Sequence, residues 1–199
     1  RHDTAAATEM STAMTALRKV KTEAALLIAL ADLAGVWPVM RVTQALSLIA
    51  DGAIIAGVRF LLSLAAGKGQ FMPADPACPE AGSGYIVLGM GKHGAFELNY
   101  SSDVDLIVFY EAGLARFSDK VEPQAFFIRM TRDLVRLLQE QTGDGYVFRI
   151  DLRLRPDPGA TPVAISTESA LNYYESFGQN WERAALIKAR AVAGDIEAG

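Results

Sequence analysis

Two acids one residue apart, Asp103 and Asp105, stand at the head of an unbroken apolar run, Leu106-Ile107-Val108-Phe109. A short apolar run of this kind suits a buried strand. Side chains alternate along a strand, so both carboxylates share one face while Val104 points the other way. Carboxylates held this close repel each other and raise a pKa unless a cation lies between them. Oxygen-only ligands at such spacing suit magnesium, bound jointly with substrate phosphates. Two exposed acids on a solvated strand start are the plainer alternative.

A second pattern bears on that choice. Arg149-Ile150-Asp151-Leu152-Arg153-Leu154-Arg155 alternates strictly between charged and apolar residues. It predicts a strand over 146–154 with Arg149, Asp151, Arg153 and Arg155 on one face and Ile150, Leu152 and Leu154 toward the core. An amphipathic edge strand would look the same. One acid among three arginines nevertheless supplies a third ligand and guanidinium forks for phosphoryl oxygens.

Glycines precede the acids, in Gly89-Met90-Gly91-Lys92-His93-Gly94 after an apolar run at 85–90. The spacing matches a dinucleotide-binding fingerprint, but that motif needs a long helix opening at the glycines. Only a short turn fits before Ser101-Ser102 and the next strand, so the dehydrogenase reading fails on context. The order is instead glycine turn, Ser-Asp-x-Asp strand, helix, and a strand with a third Asp. In nucleotidyl transfer, attacking and leaving oxygens lie in line across phosphorus and metal ions offset the developing charge. Backbone amides at the Gly91 and Ser102 turns would cradle the phosphate. These features together point to a metal-dependent nucleotidyl-transfer site. His93 is expected to face solvent on its turn rather than act as a base.

The remaining chain frames this core. Leu, Ala and Met at helical intervals predict a helix over 5–33, ended by Trp37-Pro38, and a second over 39–66, together an antiparallel pair. Residues 67–84 turn to Gly, Pro, Ala and Ser. An amphipathic helix is expected over 123–141, with Phe126, Phe127, Met130, Leu134, Leu137 and Leu138 on its apolar face. Gly143-Asp144-Gly145 then turns the chain. Ser166 or Thr167 would cap a helix through 174, and Asn180 one through 192. The division is a helical segment at 1–66, a linker at 67–83, and an α+β core with C-terminal helices at 84–199.

Composition limits the partners. A net charge of -4 gives no general pull toward nucleic acid, so any phosphate site must be local. One cysteine, Cys78, and two separated histidines make an internal disulfide impossible and a zinc site improbable. Residues 44–67 are long and apolar enough for a membrane span, but Asp51 and Arg59 within them favour a buried helix. No signal peptide is visible, and a cytoplasmic location is expected. The chain starts on Arg1 and reads as cut from something larger.

The run from Gly89 to Gly94, Glu97-Leu98-Asn99-Tyr100-Ser101-Ser102-Asp103-Val104-Asp105-Leu106-Ile107, and Asp151-Leu152-Arg153-Leu154-Arg155-Pro156 together resemble the signature of glutamine synthetase adenylyltransferases. These belong to the DNA polymerase β-like nucleotidyltransferase superfamily, and the resemblance covers roughly 85–195. It implies a polymerase β-like mixed sheet with flanking helices, after an N-terminal helical segment. Such enzymes have two related halves, one attaching AMP to a tyrosine of glutamine synthetase, the other removing it with inorganic phosphate to release ADP. Asn99-Tyr100-Ser101-Ser102 before the acids and the run Tyr173-Tyr174-Glu175 through Trp181-Glu182-Arg183 and Lys188-Ala189-Arg190 resemble the removing half.

The resemblance further implies that Asp103, Asp105 and Asp151 hold Mg2+ (or Mn2+). Gly91 and Ser102 would contact phosphate, and Arg153, Arg155 and Lys92 would offset charge on phosphate or nucleotide. Trp181, Glu182, Arg183, Lys188 and Arg190 would reach the site or simply pack on the sheet; Tyr173 and Tyr174 are read as packing residues. In the family, the PII signal protein and glutamine balance the two activities; no membrane or nucleic-acid partner is expected. The sequence departs from the pattern at His93, where an aliphatic residue is expected, and at Ala95, where glycine is common. The attaching half using ATP, a nucleotidyltransferase with another substrate, and a nucleotide-binding regulatory module are the alternatives.

Overall fold

The computed structural model describes residues 2–199, with side chains from residue 8 onward. Two long helices, α1 (His2–Leu33) and α2 (Val39–Gly67), pack against each other. In α2, Val42, Leu46, Ala50, Ile54, Val58, Leu61, Leu62 and Ala65 are buried, at spacings that carry the apolar stripe along one side. Long and apolar enough to cross a membrane, α2 is 56% buried over its most apolar window and serves here as a core helix.

Beyond a turn-rich stretch, β1 (Tyr85–Gly89), the one-turn helix α3 (Gly91–Gly94) and β2 (Val104–Tyr110) follow. The amphipathic helix α4 (Pro123–Gln139) comes next; Glu122 caps it by accepting from the Gln124 and Ala125 amides, and Pro123 opens its first turn. All six apolar residues expected on its inner face are buried. Gly57 lets α2 approach it closely: a Cβ there would lie 2.8 Å from Leu134 Cδ1. Stacked and edge-on rings of Tyr85, Tyr110, Phe126 and Phe127 fill the space between α4 and the sheet.

The sheet completes with β3 (Ile150–Asp151), β4 (Ile165–Ser166) and β5 (Arg190–Gly194). Its order is β3-β2-β1-β5, with β4 also paired to β2. β1 runs antiparallel to β2 and β5, whereas β3 and β4 pair with β2 in parallel. The fold is α+β, a mixed sheet with flanking helices behind an N-terminal helical pair.

Three expectations are corrected. The strand expected over 146–154 shrinks to Ile150–Asp151. Upstream, the Val147 and Phe148 amides bond to Leu138 O at the end of α4; downstream, the Arg153 amide turns back onto Asp151 Oδ1 at 2.8 Å. The helix expected to run from Asn180 through 192 ends early, as α6 (Asn180–Ala185) and a 3-10 turn (Leu186–Lys188), and the chain becomes β5. Unpaired backbone at the edge of β1 gains partners that Ala-rich helix propensity cannot outweigh. Gln179, not Asn180, caps α6, in a reciprocal capping box with Glu182. By contrast, Ser166 caps α5 (Thr167–Ser176) through the Ser169 amide.

Arg18 joins the helical pair to this core. Only 1% exposed, it donates to Gly145 O at 2.7 Å, Met14 O at 3.0 Å and Leu137 O at 3.1 Å, and to Glu140 O. The guanidinium thus satisfies carbonyls left over at the C-terminal end of α4, where a cation also suits the helix dipole. Arg18→Met keeps much of the volume and strands those carbonyls, so a loss of about 2–4 kcal/mol is expected. Denaturant unfolding of variant against wild type measures it.

Candidate active site

The register of β2 against β3 builds the site. Val104 pairs with Ile150 and Asp105 with Asp151, in parallel. Residues opposite each other on adjacent strands share a face, so the Asp105 and Asp151 carboxylates stand side by side. Asp103 lies one step before β2, and the Val104 amide donates to Arg149 O at 2.8 Å, which brings Arg149 beside it.

Each outer acid meets an arginine. Arg149 Nε donates to Asp103 Oδ1 at 2.5 Å, and its Nη2 to Ser101 O at 3.0 Å. Arg153 grips Asp151 through Nε at 2.8 Å and Nη2 at 2.6 Å. Hydrogen bonding from Arg153 holds the Asp151 carboxyl below its ordinary range despite some burial. Asp105 has no such partner among the described residues. Burial first, then the neighbouring Asp151 and Asp103 charges, push its pKa up.

The glycine turn closes over the acids. Met90 N donates to Asp105 O at 2.9 Å, so the turn starts directly above that residue. Gly91 has φ +51, and a Cβ there would sit 3.1 Å from Asp105 Oδ2. An L-residue at this φ would cost about 1–2 kcal/mol as well as crowding the carboxylate. Lys92 is exposed on the turn. Ser102 Oγ donates to Asn99 Oδ1 at 2.9 Å, and the same oxygen takes the Ser101 amide at 3.1 Å. Asn99 therefore shapes the approach to Asp103, a role its place among turn-forming residues makes readable.

Not every expected residue faces the acids. Arg155 spends its donors on Leu152 O, Pro158 O and Thr161 O, bracing the loop after β3. Arg183 donates to Tyr174 O, and Glu182 is buried, accepting from Tyr173 Oη and the Gln179 amide. Lys188 pairs with Glu97 at 2.8 Å. These contacts order the C-terminal segment. His93, expected in solvent, is 0% exposed and bonds to Asp51 on α2 at 2.7 Å. Its turn is pressed against the helical layer, a tertiary contact that local composition does not reveal. Other braces come from the same layer: Ser47 Oγ accepts the Leu98 amide, and Asp32 accepts from Tyr100 Oη.

Among the described residues no three His, Cys, Asp or Glu side chains converge closely enough to hold a metal ion. Asp103 and Asp151 are instead turned onto their arginines. The donor set still fits a hard divalent cation. All three groups are carboxylates, two of them in strand register, and the repulsion raising Asp105 is what a bound cation would relieve.

The family model for glutamate-ammonia ligase adenylyltransferase matches residues 2–199. The chain belongs to that family. It is 61% identical, over 98% of its length, to a Rhodopseudomonas palustris (strain TIE-1) protein named bifunctional glutamine synthetase adenylyltransferase/adenylyl-removing enzyme. Proteins of the same name from Bradyrhizobium sp. (strain ORS 278) and Xanthobacter autotrophicus (strain ATCC BAA-1158 / Py2) are 59% and 55% identical, over 94% and 98% of the chain. The chain spans 19–20% of the length of these relatives. Family membership places this mixed sheet in the nucleotidyltransferase superfamily.

The raised pKa of Asp105 has a consequence for stability. With its folded pKa above the unfolded value, the ionised group costs stability above that range and nothing once both states are protonated. In metal-free buffer Asp105→Asn should therefore melt higher than wild type near neutral pH. The gain should vanish as pH falls through the carboxyl range. Thermal melts of both proteins across pH read this directly.

Proposed function

We propose that this chain carries out metal-dependent nucleotidyl transfer, removing AMP from the adenylylated tyrosine of glutamine synthetase by phosphorolysis. The observation that supports this best is the side-by-side placement of Asp105 and Asp151, with Asp103 adjoining, beneath a glycine turn. Asp103, Asp105 and Asp151 would hold Mg2+ or Mn2+, which when bound offsets charge on the phosphoryl oxygens and lowers the barrier to in-line displacement. A phosphate oxygen bonds to the AMP phosphorus as the bond to the tyrosine oxygen breaks; the tyrosine regains a proton and ADP is released.

The chain's own groups divide the remaining work. The Gly91 amide would orient phosphoryl oxygens, and the Ser102 amide would join it by releasing Asn99 O, to which it donates at 3.3 Å. Arg153, exposed beside Asp151, and Lys92, exposed on the glycine turn, would neutralise the incoming phosphate. To do so, Arg153 would exchange Asp151 for phosphate as the carboxylate turns to the cation. Arg155 would act through the loop that it braces. Removal rather than attachment is supported by the Asn99-Tyr100-Ser101-Ser102 approach and by the segment from Tyr173 to Arg190. A cytoplasmic enzyme answering to PII and glutamine completes the reading, as part of nitrogen regulation.

The test is ADP release from adenylylated glutamine synthetase, with magnesium, with and without inorganic phosphate. Phosphate-dependent ADP is expected. Incorporation of AMP from ATP without ADP release would assign the attaching activity instead. If neither occurs, nucleotide binding without turnover would mark a regulatory module. Asp103→Asn should abolish turnover and weaken magnesium binding while the protein stays folded; full activity would remove the metal assignment. Arg153→Ala should raise the KM for phosphate or nucleotide about tenfold or more, the loss of one charge-assisted contact.

A further inference from the structure

Asp51 is an acid set inside an otherwise apolar core helix, and it is 8% exposed. Both of its oxygens are engaged. Oδ1 accepts from His93 Nε2 at 2.7 Å and from Arg190 Nη2 at 3.1 Å, and Oδ2 accepts from Arg190 Nη1 at 2.9 Å. Arg190 opens β5, opposite Gly89 in the sheet. Its guanidinium also donates to Gly94 O at 3.3 Å and His93 O at 3.4 Å, and lies 3.9 Å from the centre of the Phe96 ring. Phe96 has φ +60, a left-handed conformation unusual for its residue type. Two elements are thus tied to the short turn of α3 at His93: α2 through Asp51, and β5 through Arg190.

Stability alone is a poor account of this trio. Buried ion pairs are often no better than apolar residues of similar volume, and α2 is apolar on either side of Asp51. What apolar packing cannot supply is direction. A carboxylate only accepts, so His93 donates from Nε2, and its Nδ1 lies buried against Gly89 with no partner among the described residues. The His93 ring orientation, the carbonyls of residues 93 and 94, and the Phe96 ring are all held from one point. The other end of the same turn is Gly91, whose Cβ position lies against Asp105.

We infer that Asp51, His93 and Arg190 form a clamp that positions the glycine turn over Asp105. They are positioning residues for the phosphate cradle, and this rests on the transfer activity proposed above. The clamp spans α2 and the sheet, so this N-terminal helix belongs to the working site and is more than a neighbouring support.

Two variants in the full-length protein test this. Asp51→Asn removes the charge at the centre. Arg190→Lys is milder, keeping the charge opposite Asp51 but losing the fork that reaches the turn's carbonyls. Hydrogen exchange by mass spectrometry should show amides of 90–97 exchanging about tenfold faster in both, with α4 unchanged. In phosphate-dependent ADP release the KM for phosphate should rise about tenfold with a smaller change in kcat, the pattern of lost ground-state binding. Unchanged exchange at the turn would overturn the clamp, as would faster exchange spread across α4 in Arg190→Lys, which marks a general core role. Faster exchange with an unchanged KM would overturn its link to phosphate. If the wild-type protein neither releases ADP nor incorporates AMP, the functional reading fails, and exchange at 90–97 alone decides whether the clamp stands.

Discussion

Two adjacent residue pairs, Val104 with Ile150 and Asp105 with Asp151, carry the organisation of the candidate site. Parallel pairing is short here, yet it converts acids 46 residues apart in the chain into neighbours on one face. A slip of one residue would send Asp151 to the opposite face and Ile150 toward the acids. Much of the surrounding structure guards that register. Gln139, the last residue of α4, accepts the Ile150 amide, and Arg149 closes onto Asp103 and Ser101.

Charge is distributed unevenly around this register. Among the described residues, Asp103 and Asp151 each have an arginine, and Asp105 has none. The central carboxylate is therefore the one whose ionisation the fold opposes, through burial and its two neighbours. Exposed arginines contribute little to stability, since surface ion pairs are screened and entropically costly. Their value lies in being able to let go. In the proposed reaction these long, solvent-exposed side chains would be exchanged for a cation on one side and phosphoryl oxygens on the other with little rearrangement of the backbone.

The helical pair supplies what the sheet cannot. Asp51 and Ser47 on α2 and Asp32 on α1 each hold a residue of the segment 93–100. Arg18 on α1 takes up carbonyls at the end of α4. These are polar contacts within an apolar interface, and their directionality fixes where the loops lie while burial of Ile54, Val58 and Leu62 holds the layers together.

Periodicity and local chemistry alone determined the long helices, the apolar face of α4 and the two strands on either side of the glycine turn. Each depends on residues within a few positions of one another, so the sequence carries it directly. The alternation from Arg149 to Arg155 put Asp151 on a strand but overstated the strand's length, because Arg153 folds back onto Asp151 instead of extending. Only tertiary structure decided that residues 190–194 form a strand, where a free sheet edge outweighed helix propensity. Likewise, His93 is buried because an acid 42 residues earlier waits beneath it, and Arg155 serves a loop because carbonyls of that loop surround it. Such partners are distant in the chain or set by chain reversal, and neither composition nor spacing encodes them.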